Sequence, residues 1–269
     1  MAAPPPVRSK GVGGVRSRQA SPRALAIAGG VVLVAVIAIV LGITLSNSGN
    51  SGPPVSDLPA VGNANSSTAL PGAQEANSLF KGIPQKGLVL GKPSAPVEME
   101  MFIDVQCPIC QAYEVNNLPT IVQKYIRPGK VQLHLQPWAF LGGQGSQSFS
   151  GRLALIAASF QNKGFEYAKV LYDNQGQEES GWLTDSMMGQ IAASVNGLKV
   201  HQVLSQKGDG ATKTIADKVD QLAKAAKVTG TPTILIGQTG GKLKDIMPPG
   251  YAPTLQITEQ SLDAALANA

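Results

Sequence analysis

The pattern of hydrophobic and polar residues divides the chain into segments of different character. Residues 24–45 form an apolar run without a single charge. At about 1.5 Å per helical residue, this run can cross a hydrocarbon core of roughly 30 Å, and it predicts a transmembrane helix. The run is longer than the apolar region of about 7 to 15 residues in a cleaved signal peptide, and no small-residue cleavage motif ends it. An uncleaved anchor is therefore favoured over a signal peptide.

Beyond residue 83 the pattern alternates between strands and helices. Residues 88–90 and 97–105 are typical of strands, and residues 131–138 alternate between apolar and polar side chains as a half-buried strand does. A helical pattern covers residues 108–125, and Pro119 must interrupt it. The order strand, helix, strand predicts a parallel pair in an α/β fold.

Helical patterns dominate the second half of the chain. Residues 148–204 are mostly helical in several pieces separated by glycines, which is too much helix for a simple crossover between strands. The other predicted elements are an amphipathic helix over 211–227, an apolar strand over 233–236, a hairpin partner over 242–246 and a final helix over 258–267 capped by Thr258.

The first part of the chain differs in composition from the rest. Residues 1–23 carry five basic and no acidic side chains, so the positive-inside rule predicts a cytoplasmic tail, with everything after residue 45 outside the cytoplasm. Residues 46–82 are rich in Ser, Asn, Gly and Pro, which predicts a flexible linker. The predicted extracytoplasmic domain then covers residues 83–269.

The net charge does not indicate a nucleic-acid partner. The chain has 22 basic and 17 acidic side chains, a formal charge of +5. The tail over residues 1–23 contains the whole excess of positive charge. The extracytoplasmic part is therefore formally neutral, which argues against nucleic-acid binding.

The two cysteines of the chain, Cys107 and Cys110, are separated by two residues at the predicted junction of a strand and a helix. Free backbone N–H groups and the positive end of the helix dipole lower the pKa of a thiol at this position. Because a thiolate is the attacking species in disulfide exchange, Cys107 is predicted to attack and Cys110 to resolve the mixed disulfide. Pro108 suits the first helical position, where its missing N–H costs little.

Two other uses of the cysteine pair remain as alternatives. A zinc site needs four ligands, and beyond the cysteines it would have to recruit both His134 and His201, which show no paired ligand spacing. A purely structural disulfide across two residues closes a very small loop and restrains the unfolded chain little. The sequence therefore favours a redox pair and predicts no metal.

A second signal lies about 120 residues after the cysteines, at Thr231 and Pro232. A proline that enters an apolar strand removes a ladder donor and is badly placed there. A cis bond between the two residues resolves this difficulty, because a tight turn then exposes the backbone of Thr231 to a passing substrate strand. The alternative is a trans proline that begins the strand.

The segment FIDVQCPICQAYE, the helical stretch after it and the segment GTPT together resemble the DsbA-like branch of the thioredoxin superfamily, including its membrane-anchored Gram-positive forms. The resemblance covers residues 85 to about 267. It implies a thioredoxin fold with an inserted helical domain over about 145–208, and no cofactor. It also implies that the redox motif, with Pro108 and Ile109, faces Thr231 and Pro232, which would bind the backbone of a substrate.

The chain departs from this family at two positions. Many relatives carry a buried acid six residues before the first cysteine, where this chain has Met101, and Glu100 should point to the opposite sheet face. Proton transfer to Cys110 would then rely on water or on Asp104, and the alternative role of Asp104 is that of a surface turn residue. The most oxidising relatives often have His between the cysteines, whereas Pro108 and Ile109 donate no side-chain hydrogen bond. This predicts a potential between about −270 mV, as in thioredoxin, and about −120 mV, as in DsbA.

The resemblance implies an extracytoplasmic thiol-disulfide oxidoreductase that oxidises cysteines of exported proteins through a disulfide of Cys107 with Cys110. A membrane partner of the DsbB or vitamin K epoxide reductase type would reoxidise it. A reductase or isomerase kept reduced by a membrane donor would use the same residues in the opposite direction. A tethered chaperone or binding module is the non-enzymatic alternative.

Overall fold

The computed structural model describes residues 53–247 and 250–269. The predicted cytoplasmic tail and transmembrane helix, residues 1–23 and 24–45, lie outside these ranges. Among the helices inside them, none is both long enough and apolar enough to span a bilayer.

A mixed sheet of six strands organises the described part of the chain. The strands are β1 Gln85–Lys86, β2 Val89–Leu90, β3 Val97–Ile103, β4 Val131–Pro137, β5 Thr233–Gln238 and β6 Lys244–Asp245. They lie side by side in the order β1, β2, β4, β3, β5, β6. The central pair, β3 and β4, is parallel as predicted, and the other neighbouring pairs are antiparallel.

Helices pack against the sheet and against one another. They are α1 Ala73–Phe80, α2 Pro108–Asn116, α3 Leu118–Ile121, α4 Gln147–Ser159, α5 Gly164–Asp173, α6 Asp185–Ala193, α7 Val200–Gln206, α8 Gly210–Ala225 and α9 Leu255–Ala267. A 3₁₀ turn at Val55–Asp57 precedes them, and a π-helical turn at Val122–Ile126 continues α3. Helices α4 to α7 stand between β4 and α8, which confirms the predicted α/β fold with a helical insertion.

Alternation along β3 separates the two faces of the sheet. Met99, Met101 and Ile103 are fully buried in the main hydrophobic core, because side chains two residues apart in a strand point to the same face. Glu98 and Glu100 are only partly buried and point to the other face. Met101 therefore contributes to the core, and the first cysteine follows the end of this strand.

The helical stretch predicted over residues 108–125 is interrupted, as expected. Helix α2 ends at Asn116, and α3 begins at Leu118 with Pro119 in its first turn. A proline is tolerated there because the first N–H groups of a helix have no partner within it. The break lets α2 carry the cysteine motif while α3 packs against α9.

Side-chain caps fix the start of two helices in the insertion. Ser146 Oγ accepts a hydrogen bond from Phe149 N at 3.1 Å where α4 begins. Thr184 Oγ1 accepts one from Met187 N at 3.1 Å where α6 begins. Such caps satisfy N–H groups that have no partner inside the helix. Helix α4 is buried along most of its length and joins the insertion to the core of the sheet.

The structure differs from the prediction of a flexible linker over residues 46–82. Its described part, residues 53–82, includes α1 and packs against the insertion; it is called the N-terminal strap below. Leu58 in the strap is buried, and the backbone N of Gly62 donates to Leu198 O at 2.9 Å. The composition was misleading here. A few spaced apolar residues are enough to hold a polar segment in place when its backbone groups form hydrogen bonds with a neighbouring surface.

The predicted start of the last helix is wrong by one turn. Helix α9 begins at Leu255, and Thr254 caps it by accepting a hydrogen bond from Ile257 N at 3.3 Å. Thr258 lies inside the helix and is buried, with its hydroxyl accepting a hydrogen bond from Tyr113 OH at 3.0 Å. Threonine is a suitable cap residue at either position. Thr254 is the cap because Thr258 packs against α2 inside the helix.

Candidate active site

Cys107 lies in the tight turn between β3 and α2. Its backbone N donates to Asp104 O at 3.0 Å, and Gln106 N donates to Asp104 Oδ1 at 2.8 Å. Helix α2 begins at Pro108, so Cys107 occupies the N-cap position, and its Sγ accepts a hydrogen bond from Cys110 N at 3.4 Å. The sulfur thus takes the place that a hydroxyl or carboxylate oxygen usually has at a helix start.

The two sulfurs differ in exposure and in pKa. Cys107 is 6% exposed and Cys110 is fully buried, and both are free thiols. The pKa of Cys107 is lowered to about 6, mainly by the hydrogen bond from the Cys110 thiol and also by backbone N–H groups, against the opposing effect of burial. Burial raises the pKa of Cys110 well above the ordinary thiol value, and bonding to Cys107 adds to this. At neutral pH the first sulfur is therefore mainly a thiolate and the second a thiol.

The loop at Thr231 and Pro232 contacts the first sulfur, as the resemblance implies. The peptide bond between these two residues is cis. Cys107 Sγ lies 3.4 Å from Thr231 O, across 124 positions of sequence, and can donate a hydrogen bond to it only when the sulfur is protonated. The structure therefore brings together the two motifs that carried the resemblance.

The hydroxyl of Thr231 lies beside both sulfurs. Its Oγ1 is buried and forms no hydrogen bond of ordinary geometry with the described residues. It is nevertheless near enough to Cys107 and Cys110 to lower the pKa of each. A hydroxyl donor near a sulfur favours its charged form.

An open groove of about 730 Å³ runs beside the cysteine motif. Ile109, Thr231, Pro232 and Tyr251 are among the residues that line the groove. Ile109 is 50% exposed and Tyr251 is 72% exposed. Large exposed apolar side chains that border a concave surface are typical of a binding site.

Asp104 is held as an acceptor in the turn before the cysteines. It is 1% exposed. Its Oδ1 accepts from Ser148 Oγ at 2.7 Å as well as from Gln106 N, and its Oδ2 accepts from Leu141 N at 2.8 Å. These bonds join the end of β3 to the loop and helix that open the insertion. Asp104 is thus neither exposed at the surface nor free of partners, and its geometry indicates a structural role.

Gln106 and Gln175, which sequence reasoning missed, fasten the insertion to the cysteine motif. Gln106 Oε1 accepts hydrogen bonds from Trp182 Nε1 at 3.1 Å and from Glu179 N at 3.2 Å. Gln175 Nε2 donates to Val105 O at 2.8 Å. The sequence contains no signal for these contacts, since they join residues about 70 positions apart.

Glu114 is a second residue that sequence reasoning missed. It follows Cys110 by four positions on α2 and is 2% exposed. Its Oε1 has no hydrogen-bond partner among the described residues. The spacing of four positions on a helix was the available signal, because it places two side chains on the same face.

Other polar groups lie elsewhere in the fold. Glu100 is on the opposite face of the sheet, as predicted, where its Oε1 accepts from Gln136 Nε2 at 2.7 Å and burial raises its pKa. Within residues 53–247 and 250–269, no three His, Cys, Asp or Glu side chains are arranged to hold a metal ion.

Disulfide exchange by a cysteine pair uses one sulfur that attacks as a thiolate and a second that remains a thiol until it resolves the mixed disulfide. Cys107 and Cys110 provide these two states within one helical turn. The protein is a thiol-disulfide oxidoreductase with a thioredoxin-like fold. A family model described as thioredoxin matches residues 84–244, more than half of the chain, and the chain belongs to this thioredoxin family.

Individual relatives agree with this assignment. The chain is 28% identical over 165 residues to the probable disulfide bond formation protein D of Bacillus cereus, covering 60% of the chain and 74% of the relative. Its fold is similar to that of oxidised BdbD from Bacillus subtilis, with a TM-score of 0.57, 20% identity and coverage of 69% and 97%. It is also similar to DsbA from Chlamydia trachomatis, with a TM-score of 0.55, 16% identity and coverage of 66% and 90%. The predicted place in the DsbA-like branch is confirmed.

Proposed function

We propose that this protein oxidises pairs of cysteines in exported proteins through a disulfide of Cys107 with Cys110. The observation that carries the proposal is the contrast between the two sulfurs. Cys107 has a pKa of about 6 and contacts Thr231, which lines a groove, whereas Cys110 is fully buried and has a raised pKa. The name of the Bacillus cereus relative, a probable disulfide bond formation protein, supports the same activity.

The reaction has two exchange steps. In the first, a substrate thiolate attacks Cys107 Sγ, a mixed disulfide forms, and the bond to Cys110 breaks with its electron pair left on the Cys110 sulfur, which takes up a proton. In the second, the other substrate thiolate attacks the substrate sulfur of the mixed disulfide, and Cys107 leaves as a thiolate. The substrate dithiol is oxidised to a disulfide, and two electrons pass to the protein.

The acidity of Cys107 favours this direction of electron flow. A stabilised thiolate is a good leaving group and stabilises the reduced protein, which makes the disulfide more oxidising. A pKa of about 6 lies between values of about 7 in thioredoxin and about 3.5 in DsbA. It supports the intermediate potential expected from the sequence. Backbone N–H groups and the Cys110 thiol stabilise the thiolate, although Pro108 and Ile109 have no side-chain donor.

The groove beside Cys107 would hold the substrate. Thr231 presents its carbonyl oxygen next to the attacked sulfur, and an extended segment lying along the loop at Thr231 and Pro232 would place its own cysteine there. The exposed side chains of Ile109 and Tyr251 would contact apolar residues beside that cysteine. Recognition of this kind uses backbone more than sequence, which suits an enzyme with many unfolded substrates.

Residues 24–45 are proposed as a single-pass anchor in the cell membrane, with residues 1–23 in the cytoplasm and the catalytic domain outside. A DsbB-like or vitamin K epoxide reductase-like membrane partner would then accept the electrons and restore the disulfide. Protease added to intact cells should digest the catalytic domain, and its complete protection would contradict the orientation.

Trapping of free thiols in living cells tests the direction of electron flow. An oxidase should be found mainly with Cys107 and Cys110 as a disulfide, whereas a mainly reduced pair would favour a reductase or isomerase. The Cys107→Ser variant should lose the ability to oxidise a reduced, unfolded protein. Full activity in that variant would favour a tethered chaperone or binding module.

A further inference from the structure

The loop over residues 175–182, called the clamp loop below, lies against the attacking cysteine. At its start, Gln175 Nε2 donates a hydrogen bond to Cys107 O at 3.4 Å. At its end, Trp182 Nε1 donates to Gln106 Oε1 at 3.1 Å. Both ends of the clamp loop are therefore fixed to the cysteine turn, and the residues between them are held close to Cys107.

Two glutamates occupy the middle of the clamp loop. Glu178 and Glu179 are both exposed. The backbone N of Glu179 donates to Gln106 Oε1 at 3.2 Å, so Glu179 is one hydrogen bond away from the residue that precedes Cys107. Neither carboxylate forms an ion pair with any residue in the described part of the chain. Their negative charge is therefore available to a molecule that approaches the sulfur.

The other charges near the cysteine motif are balanced. Asp173 and Asp185, which lie on either side of the clamp loop in the sequence, are each paired with a lysine. The groove that would hold the substrate has two charged lining residues, Lys227 and Asp245, which are both exposed and opposite in sign. The groove is thus formally neutral, and the excess of negative charge around the cysteine motif lies on the clamp loop.

The two carboxylates act on an approaching chain and not on the sulfur itself. The low pKa of Cys107 is set by burial and by hydrogen bonds with Cys110, Thr231 and Ile109, in which neither glutamate takes part. Charges at the surface of a protein attract or repel mobile charges over about a Debye length, which is about 10 Å in 0.1 M salt. A positively charged segment is therefore attracted to the entrance of this site, and a negatively charged segment is repelled.

We propose that the clamp loop gives the protein a preference for cationic substrate segments, in which a lysine or arginine lies a few residues from the reactive cysteine. This inference rests on the proposed function, and it names the class of substrate that reacts fastest. An extended segment with its cysteine at Cys107 Sγ would place one flank in the groove, against Ile109 and Tyr251. Its other flank would lie beside Glu178 and Glu179.

A basic flank also makes the substrate cysteine more reactive. A nearby positive charge lowers the pKa of a thiol and so increases the fraction of thiolate at neutral pH. The substrate thiolate is the species that attacks Cys107 Sγ in the first exchange step. Attraction by the clamp loop would therefore bring to the sulfur those segments whose cysteines are most ready to react.

The oxidation of three reduced peptides by the full-length protein, with Cys107 and Cys110 as a disulfide, tests this preference. The peptides have the same length and two cysteines each, and they differ only in the flanking residues, which are lysine, serine or glutamate. Selectivity is defined as kcat/KM for the lysine peptide divided by kcat/KM for the glutamate peptide. Because lysine increases the reactivity of a thiol in any case, the informative quantity is the change in selectivity on substitution.

The double substitution Glu178→Gln with Glu179→Gln should lower the selectivity by about tenfold at low ionic strength, the lower end of what electrostatic attraction adds to association rates. In 1 M salt, where the Debye length is about 3 Å, the selectivities of the double variant and of the unsubstituted protein should agree within about twofold. The serine peptide should react with both proteins at rates within about twofold, because it carries no charge for the clamp loop to attract. A merely structural role of the two glutamates would instead slow the serine peptide as well.

The double substitution Asp209→Asn with Asp217→Asn is the matched control. Both residues are exposed acids outside any ion pair in the described ranges, and they lie at the start and in the middle of α8. Asparagine suits the N-cap position of Asp209 as well as aspartate does. The net charge changes by the same amount as in the clamp-loop variant, but the selectivity should stay within about twofold, because these charges are farther from the sulfur than a Debye length.

Three results would overturn the inference. They are an unchanged selectivity in the clamp-loop variant, an equal loss of selectivity in the control variant, and a selectivity of the unsubstituted protein that does not fall as salt is added. In each case, oxidation of the three peptides would leave the proposed function intact. Failure of the unsubstituted protein to oxidise any of them would contradict the proposed function itself.

Discussion

The indole nitrogen of Trp182 donates a hydrogen bond to Oε1 of Gln106, 3.1 Å away, and so ties the insertion to the residue directly before the attacking cysteine. Gln106 is 1% exposed, and its amide nitrogen donates to Gln147 Oε1 at 3.1 Å. The insertion therefore does more than cover the sheet. It holds the backbone from which Cys107 projects.

Trp182→Phe should lower the free energy of unfolding by about 1 kcal/mol, because it keeps an aromatic ring and removes one partly buried hydrogen bond. Trp138→Phe is the control, since the indole nitrogen of Trp138 makes no hydrogen bond within the described residues and its ring packs on Phe140 at 5.2 Å. Urea unfolding measures both. Equal effects of the two substitutions would show that the bond to Gln106 contributes nothing beyond packing.

The rate of Cys107 alkylation by iodoacetamide should depend on pH with a midpoint near 6, because the thiolate is the reactive species and the pKa is about 6. Cys110 should stay unmodified in the folded protein, since it is fully buried. Mass spectrometry after brief labelling distinguishes the two sites. A midpoint near 9 would contradict the acidity on which the proposed function depends.

The same shift makes the stability of the reduced protein depend on pH. The pKa of Cys107 is lower in the folded protein, about 6, than the ordinary value of 9.0. Its contribution to stability is therefore complete above pH 9, decreases as the pH falls from 9 towards 6, and is absent below 6. The disulfide form lacks this contribution. The melting temperature of the reduced form relative to the oxidised form should accordingly fall as the pH is lowered through this range.

Thr231→Val should raise the pKa of Cys107 by less than about one unit, because it removes a hydroxyl that stabilises the thiolate while keeping the shape of the side chain. The ultraviolet absorbance of the Cys107 thiolate, recorded as a function of pH, measures this change in pKa. Thr233→Val is the control, as its hydroxyl donates to Gly230 O at 2.8 Å. A larger effect at Thr233 than at Thr231 would indicate that the loop, and not the hydroxyl, sets the pKa.

Leu58→Ala in the N-terminal strap should lower the free energy of unfolding by about 2–3 kcal/mol, since Leu58 is 6% exposed and packs closely against Gly189. Val55→Ala, at a position 38% exposed, should change it by less than about 0.5 kcal/mol. Chemical denaturation of both variants gives the comparison. Similar small effects would mean that the strap behaves as the linker predicted from composition.

The sequence identified the parts of the site whose chemistry depends on residue type and local spacing. Cys107 and Cys110 at a helix start, and Thr231 with Pro232 at a strand start, follow from the rules for caps and prolines, and the structure places Cys107 Sγ beside Thr231 O. The parallel pairing of β3 with β4 followed from the order of the elements. These features require little knowledge of which helix packs against which.

The features that the sequence did not identify depend on packing between distant segments. The bond between Trp182 and Gln106 exists only once the insertion has folded back on the cysteine turn. Glu114 was overlooked because its burial depends on contact with α5. The strap over residues 53–82 has a linker's composition, and only its hydrogen bonds to the insertion distinguish it from one.

Because Cys110 is fully buried, only Cys107 can form a disulfide with another protein. A substrate that forms a mixed disulfide with this protein must form it with Cys107. Attack by Cys110 on that mixed disulfide would normally release a substrate that stays bound. The Cys110→Ser variant should therefore retain its substrates as mixed disulfides with Cys107 during purification. Release of the bound proteins with a reductant, followed by mass spectrometry, would identify the substrates of the protein in its own cell.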